Sequence, residues 1–138
     1  MTRRKTKWKS DLGEVKTKFF TFGDRQHPFV FRTGEKLASV TLAYETYGKL
    51  SPAADNAILV FHALSGSQHA AGLNPAVRGA GKLWTEELHA GWWDNLIGPG
   101  KALDTDRYFI ICANYVGGCY GSSGPTSRNP ATGKPFGR

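Results

Sequence analysis

No run of apolar residues in this chain approaches the roughly 18 needed to cross a bilayer, and its start carries no hydrophobic signal core. From these two absences a cytoplasmic protein with no membrane partner is expected. Cysteine is scarce. Cys112 and Cys119 are the only two, with no Cys-x-x-Cys pair and no Cys/His cluster, so they read as reduced thiols of a cytosolic chain. The four histidines, His27, His62, His69 and His89, fall in no metal-ligand spacing, and no metal site is expected. Gly-x-Ser-x-Gly occurs nowhere, which excludes a serine hydrolase complete in itself.

What is present is one domain's worth of chain, 138 residues at 40% hydrophobic and 21% charged, with 17 Gly and 7 Pro that point to many turns and long loops. The net charge of +7 is unevenly placed. Residues 1–18 hold seven basic against two acidic groups, while the other 120 residues carry 11 and 9. A basic end can dock on nucleic acid, an anionic membrane or a phosphorylated ligand. Here it is read as a solvated, disordered tail over 1–15, followed by a domain over 16–138, and no nucleic-acid partner is expected.

The opening of the domain alternates polar and apolar residues, from Lys16 to Phe22, again over Phe29–Phe31, and from Val40 to Tyr47 up to Gly48. With turns at 23–27 and 33–36, this predicts an antiparallel meander. The pattern then changes to continuous apolar runs, Ala57 to Phe61 and Tyr108 to Ala113. Such runs predict strands buried on both faces and, being about fifty residues apart, parallel neighbours in an α/β sheet. Between them the segment 67–103 is Gly-rich, with a short candidate helix at Leu83–His89. Trp92 and Trp93 lie in a long loop expected to be an ordered wall, covering the core or touching a ligand.

The organising stretch is the first apolar strand and the turn that follows it, His62-Ala63-Leu64-Ser65-Gly66. In α/β sheets ligands bind beyond the carboxyl ends of the strands, and an apolar strand running into a His-small-apolar turn is one way to present a backbone N–H to an oxyanion. The donor would be Leu64. His62 either orients that turn or is a satisfied buried imidazole, the second reading being favoured. Gly117-Gly118-Cys119-Tyr120-Gly121 has the outline of a cysteine nucleophile elbow, but the strand ends several residues early and no helix can start at Ser122-Ser123-Gly124-Pro125, so Cys119 is not taken as a nucleophile.

Taken together, Tyr44-Glu45-Thr46-Tyr47-Gly48, His62–Gly66 with His69-Ala70-Ala71-Gly72, Gly91-Trp92-Trp93-Asp94, Gly98-Pro99-Gly100-Lys101, and Asn114 with 117–125 resemble the homoserine O-acetyltransferase family in order and spacing. The resemblance covers about residues 28 to 137. It implies an α/β fold, the N-terminal part of an α/β-hydrolase: an antiparallel meander leading into parallel strands, truncated before the nucleophile elbow. It further implies ping-pong transfer of an acetyl group from acetyl-CoA through an acyl-serine to the hydroxyl of L-homoserine, a step of methionine biosynthesis, with acetyl-CoA as co-substrate and no bound cofactor. The full-length enzyme is expected to be a homodimer. The serine, aspartate and histidine of that chemistry lie outside this chain, which is therefore expected to be inactive alone. What the chain would supply is the Leu64 amide, with Ser65, Gly66, Trp92 and Trp93 as substrate-binding candidates. A homoserine O-succinyltransferase, a serine O-acyltransferase of the same fold, and a non-catalytic fragment are the alternatives. Ser65 stands where the family often has Thr, and Ser67 where an acidic residue is common.

Overall fold

The computed structural model describes residues 8–129 and 132–137. Its alternating segments form the meander. Strand β1 (Lys18–Phe22) pairs antiparallel with β4 (Val40–Tyr47), Lys18 opposite Tyr44 and Phe22 opposite Val40. The turn after β1 is closed by Asp24, whose Oδ1 accepts the amides of Gln26 and His27 at 2.7 Å each, and these bonds hold its carboxyl below the usual range. A small hairpin of β2 (Phe29–Val30) and β3 (Lys36–Leu37) follows.

The apolar runs become β5 (Ala57–Val60) and β8 (Phe109–Ala113), and they are parallel neighbours, Ala57 opposite Phe109. The sheet order is β1-β4-β8-β5, with β8 antiparallel to β4. The strand β5 thus lies at an edge. Burial on both faces, as its composition suggests, is not what the structure has: Leu59 is 55% and Phe61 66% exposed, and Val60 is the buried member. On their side of the sheet Phe20, Leu42, Tyr44, Ile111 and Ala113 line an open apolar depression, and the Tyr115 ring stacks on Phe61 at 6.3 Å. An exposed Ile110 would be expected from the same open edge, yet it is fully buried. The reason is the pleat. Ile110 and Cys112 point to the opposite face, where they pack with Tyr47, Val60, Ala70, Ala71 and Ile97.

That covered face is closed by 67–103, which has little regular structure. The segment expected as a helix over Leu83–His89 is two 3₁₀ turns instead, Gly81–Leu83 and Glu86–His89. Trp84 interrupts them with ψ 86°, and its ring docks edge-on against His69 and Tyr120 while Nε1 donates to the Asn74 carbonyl at 2.8 Å. Ring placement wins over helical continuity. Two short parallel strands, β6 (Ile97–Gly98) and β7 (Leu103–Asp104), complete the segment. The Asp104 Oδ1 accepts the amides of Gly100 and Asp106, which holds its carboxyl below the usual range.

Residues 1–7 of the expected tail lie outside the described residues. The folded part reaches back beyond Lys16: Ser10 Oγ donates to Asp94 Oδ1 at 2.5 Å, Val15 N–H to the Leu73 carbonyl at 2.9 Å, and Leu12 and Val15 pack on the core. Hydrophobic positions 12 and 15 outweigh the basic character of the segment.

The polar centre of the covered face is Glu45. Its Oε1 accepts Thr17 Oγ1 and Asn74 Nδ2, both at 2.7 Å, and its Oε2 faces Tyr47 Oη at 2.9 Å and His69 Nδ1 at 2.7 Å. A fully buried carboxyl is tolerated because every lone-pair direction has a partner. Tyr47 Oη also accepts the amides of Ala70 and Ala71, at 2.8 and 3.1 Å. Burial, and then the neighbouring Glu45 charge, raise its pKa well above the ordinary tyrosine value.

Candidate functional site

Beyond β5 the chain leaves the sheet in one tight turn. The Gly66 amide donates to the Ala63 carbonyl at 2.8 Å, which places Leu64 and Ser65 at the two central positions. In such a turn the first central amide takes no part in closure. Leu64 N–H makes no hydrogen bond among the described residues, and its side chain is 97% exposed. The glycine at 66 allows the close return: a Cβ there would lie 3.0 Å from the His62 Cβ.

Two aromatic residues fix the turn. Tyr115, just past β8, donates its hydroxyl to the His62 carbonyl at 2.5 Å, and its ring lies 4.1 Å from the His62 ring. His62 is buried. Its Nδ1 sits 2.7 Å from the Ala63 carbonyl, which can only accept, so Nδ1 carries a hydrogen. Its Nε2 has no partner among the described residues. The reading of His62 as a fully satisfied imidazole is therefore half right: one nitrogen anchors the turn and the other is open.

A cavity of about 390 Å³ opens here, lined by His62, Leu64, Ser65, Gly66 and the loop 115–120, and it lies at the carboxyl ends of the two parallel strands. The structure brings Leu64, Ser65 and Gly66 together around it. Trp92 and Trp93 are not in its lining. Their rings lie 4.9 Å apart, tilted by 54°, on the neighbouring segment, about a third exposed, and Trp92 Nε1 donates to the Ser67 carbonyl at 2.9 Å. Trp92 therefore braces the chain just after the turn. Cys119 lines the cavity as an exposed free thiol, while Cys112 is buried and its thiol is pushed up to about 12 by burial and, second, by the charge of Glu45. Among the described residues no group of His, Cys, Asp and Glu could hold a metal ion, and no helix is long and apolar enough to cross a membrane.

Sequence reasoning missed two residues here. Tyr115 carried a signal only in its place directly after a strand. Glu45, read as one polar residue on an alternating strand, faces the core; its neighbours in sequence gave no indication of four partners.

No protein-family model matches the chain. Homoserine O-acetyltransferase of Deferribacter desulfuricans is 53% identical over 128 residues, which is 93% of this chain and 31% of that protein. Homoserine O-succinyltransferase of Nocardioides sp. is 52% identical over 125 residues, 91% of this chain and 31% of that protein. Among solved structures, homoserine O-acetyltransferase from Bacillus anthracis matches with a TM-score of 0.70 at 36% identity, over 88% of this chain and 31% of that one. Esterase E22 matches equally, with a TM-score of 0.70 at 36% identity, over 89% of this chain and 32% of that one. The strand order, the parallel β5–β8 pair and the turn at its carboxyl end are those of an α/β-hydrolase sheet, of which this chain carries a part. Within that class the chain is a relative of the homoserine O-acetyltransferases, and it spans about 30% of the length of the curated relatives it matches.

Proposed function

We propose that this chain contributes the oxyanion-binding wall of a homoserine O-acetyltransferase, with Leu64 N–H as the donor. The observation that carries the reading is the unengaged Leu64 amide, held at the carboxyl rim of the sheet by the Tyr115–His62 clamp. Acyl transfer through an acyl-serine passes twice through a tetrahedral intermediate, and a preorganised amide lowers both barriers. The nucleophile, its base and the carboxylate that orients the base come from sequence outside this chain. Acetyl-CoA is then the co-substrate, L-homoserine the acceptor, and no bound cofactor or metal is required. Ser65 and Gly66 border the reacting acyl group, and Trp92 and Trp93 stiffen the adjoining wall. A cytoplasmic setting suits the two unpaired thiols, and a homodimer is proposed for the whole enzyme.

The Nocardioides relative favours one further reading, transfer of a succinyl group to the same acceptor. The test is an assay of a longer protein containing residues 1–138, supplied with acetyl-CoA or succinyl-CoA and with L-homoserine or L-serine, scored by thiol release and product mass. O-acetylhomoserine as the preferred product supports the proposal. Acyl-ester hydrolysis with no transfer to any amino acid overturns it.

A further inference from the structure

A second cavity, of about 300 Å³, gathers cationic and hydroxyl donors with no carboxylate among them. Its polar lining is Ser39, Thr41, Arg78, Ser123, Ser127 and Arg128. It opens beside Thr41 near the start of β4, and the antiparallel register puts that end of β4 beyond the last residue of β8. The cavity thus shares a rim with the His62–Gly66 turn while using none of its residues.

Its donors are arranged in advance. The Arg78 guanidinium lies over the Phe19 ring, 4.2 Å from the centroid; stacking occupies the face of the group and leaves its in-plane N–H edges for an acceptor. Ser123 Oγ already accepts the Thr41 amide at 2.9 Å, and Ser127 Oγ accepts the Gly124 amide at 2.9 Å. Each hydroxyl therefore keeps a hydrogen to donate, and neither has an acceptor for it among the described residues. Neither Arg78 nor Arg128 forms an ion pair among the described residues. Two guanidinium groups and two hydroxyls around one volume complement a multiply charged oxyanion with several acceptor oxygens better than a monoanionic carboxylate, which has half the charge and fewer acceptors to offer them.

We propose that this cavity binds a phosphate group, free or as a phosphomonoester. The inference stands apart from the acyl-transfer reading. Its test is arginine footprinting of the 138-residue chain. Phenylglyoxal modification is followed by peptide mass spectrometry, with inorganic phosphate, adenosine 3′,5′-bisphosphate or acetate added at fixed ionic strength. Both phosphates slow modification saturably at Arg78 and Arg128 together; Arg25 and Arg32 are unaffected, and acetate does nothing. Because Arg78 is exposed, Arg78→Gln leaves the fold in place and lowers the affinity read at Arg128 about tenfold, the worth of a charge-assisted hydrogen-bonding partner. Tighter protection by the bisphosphate assigns the cavity to a nucleotide-borne phosphate, and equal or weaker protection assigns it to the free ion. Equal slowing at all arginines, no slowing, or protection of Arg128 unchanged by Arg78→Gln overturns the proposal.

Discussion

Glu45 and His69 meet at 2.7 Å, Oε2 to Nδ1, with both side chains shut away from water. His69 Nε2 faces the His89 carbonyl at 3.1 Å, so the ring ties β4 to the 3₁₀ turn Glu86–His89 of the covering segment. Removing one partner leaves the other buried and short of a bond, which typically costs about 3–5 kcal/mol. His69→Ala is therefore expected to loosen the whole 67–90 segment. The check is amide hydrogen exchange: Ala70 and Ala71, whose N–H groups donate to Tyr47 Oη, lose protection before the β4–β8 ladder does. Unchanged protection at both amides refutes the arrangement.

Leu64→Pro removes the proposed donor while keeping the turn, since proline suits the first central position of a β-turn. In a longer protein containing residues 1–138, losing one oxyanion donor is expected to cost about 2.7–4 kcal/mol of transition-state stabilisation, with little change in KM. Turnover is measured beside a circular dichroism spectrum. A folded variant with normal turnover takes Leu64 out of the mechanism.

The two thiols are expected to separate cleanly. At about pH 8 an aromatic disulfide reagent labels Cys119 quickly and Cys112 only on unfolding, since reactivity follows exposure and thiolate fraction. The folded chain holds the Cys112 proton up to about 12, above the ordinary value of 9.0. The unfolded chain releases it first as pH rises. The stability tied to this burial is thus intact below 9.0 and drains away between there and about 12. Tyr47 acts in the same sense. Urea midpoints across that range should fall, and less steeply for Cys112→Ala.

The open edge at β5 offers unpaired backbone groups beside Leu59 and Phe61, a combination that invites strand pairing between copies. The 138-residue chain is expected to self-associate. Leu59→Lys, on the uncovered face, should shift light scattering toward monomer without lowering strand content. A wild-type chain that elutes as a monodisperse monomer and melts in one sharp transition contradicts this.

Gly91→Ala tests how tightly the segment 67–103 seats. A Cβ there would lie 2.2 Å from the Ala71 Cα and amide nitrogen, both backbone atoms in the core. Overpacking commonly costs about 1–3 kcal/mol, and a backbone clash sits at the upper end. Thermal unfolding reads the loss, and an unshifted midpoint means the two backbones do not approach as described.

The strands were legible because their signals are local. Val40–Tyr47 alternates and is bounded by Gly48, where φ is +78° and a Cβ would meet the Tyr108 carbonyl at 2.2 Å. Residues 57–61 and 108–113 announced parallel neighbours through continuous apolar composition. The turn at Leu64 was legible for the same reason. What could not be read was whatever depends on distant partners: that Ile110 would be covered by residues 70, 71 and 97, and that Trp84 would give up a helix to dock its ring. Glu45 is the sharpest case. Alternation put it on the same face as Ala43 and Tyr47, but which face is dry was decided by a loop without periodicity.

The place of β8 sets an order of events in time. Among the described residues it is the last strand in sequence and an inner strand in space, hydrogen-bonded to β4 on one side and β5 on the other. The β1–β4 pair is local and can form early, whereas β5 waits without a ladder partner until residues 109–113 have been synthesised, some fifty residues later. At the about 5–20 residues per second of translation, that is a window of seconds in which Ile58, Leu59 and Val60 have nowhere to go. A nascent chain of this kind has its need for chaperone shelter written into strand order, concentrated between the emergence of β5 and the arrival of β8.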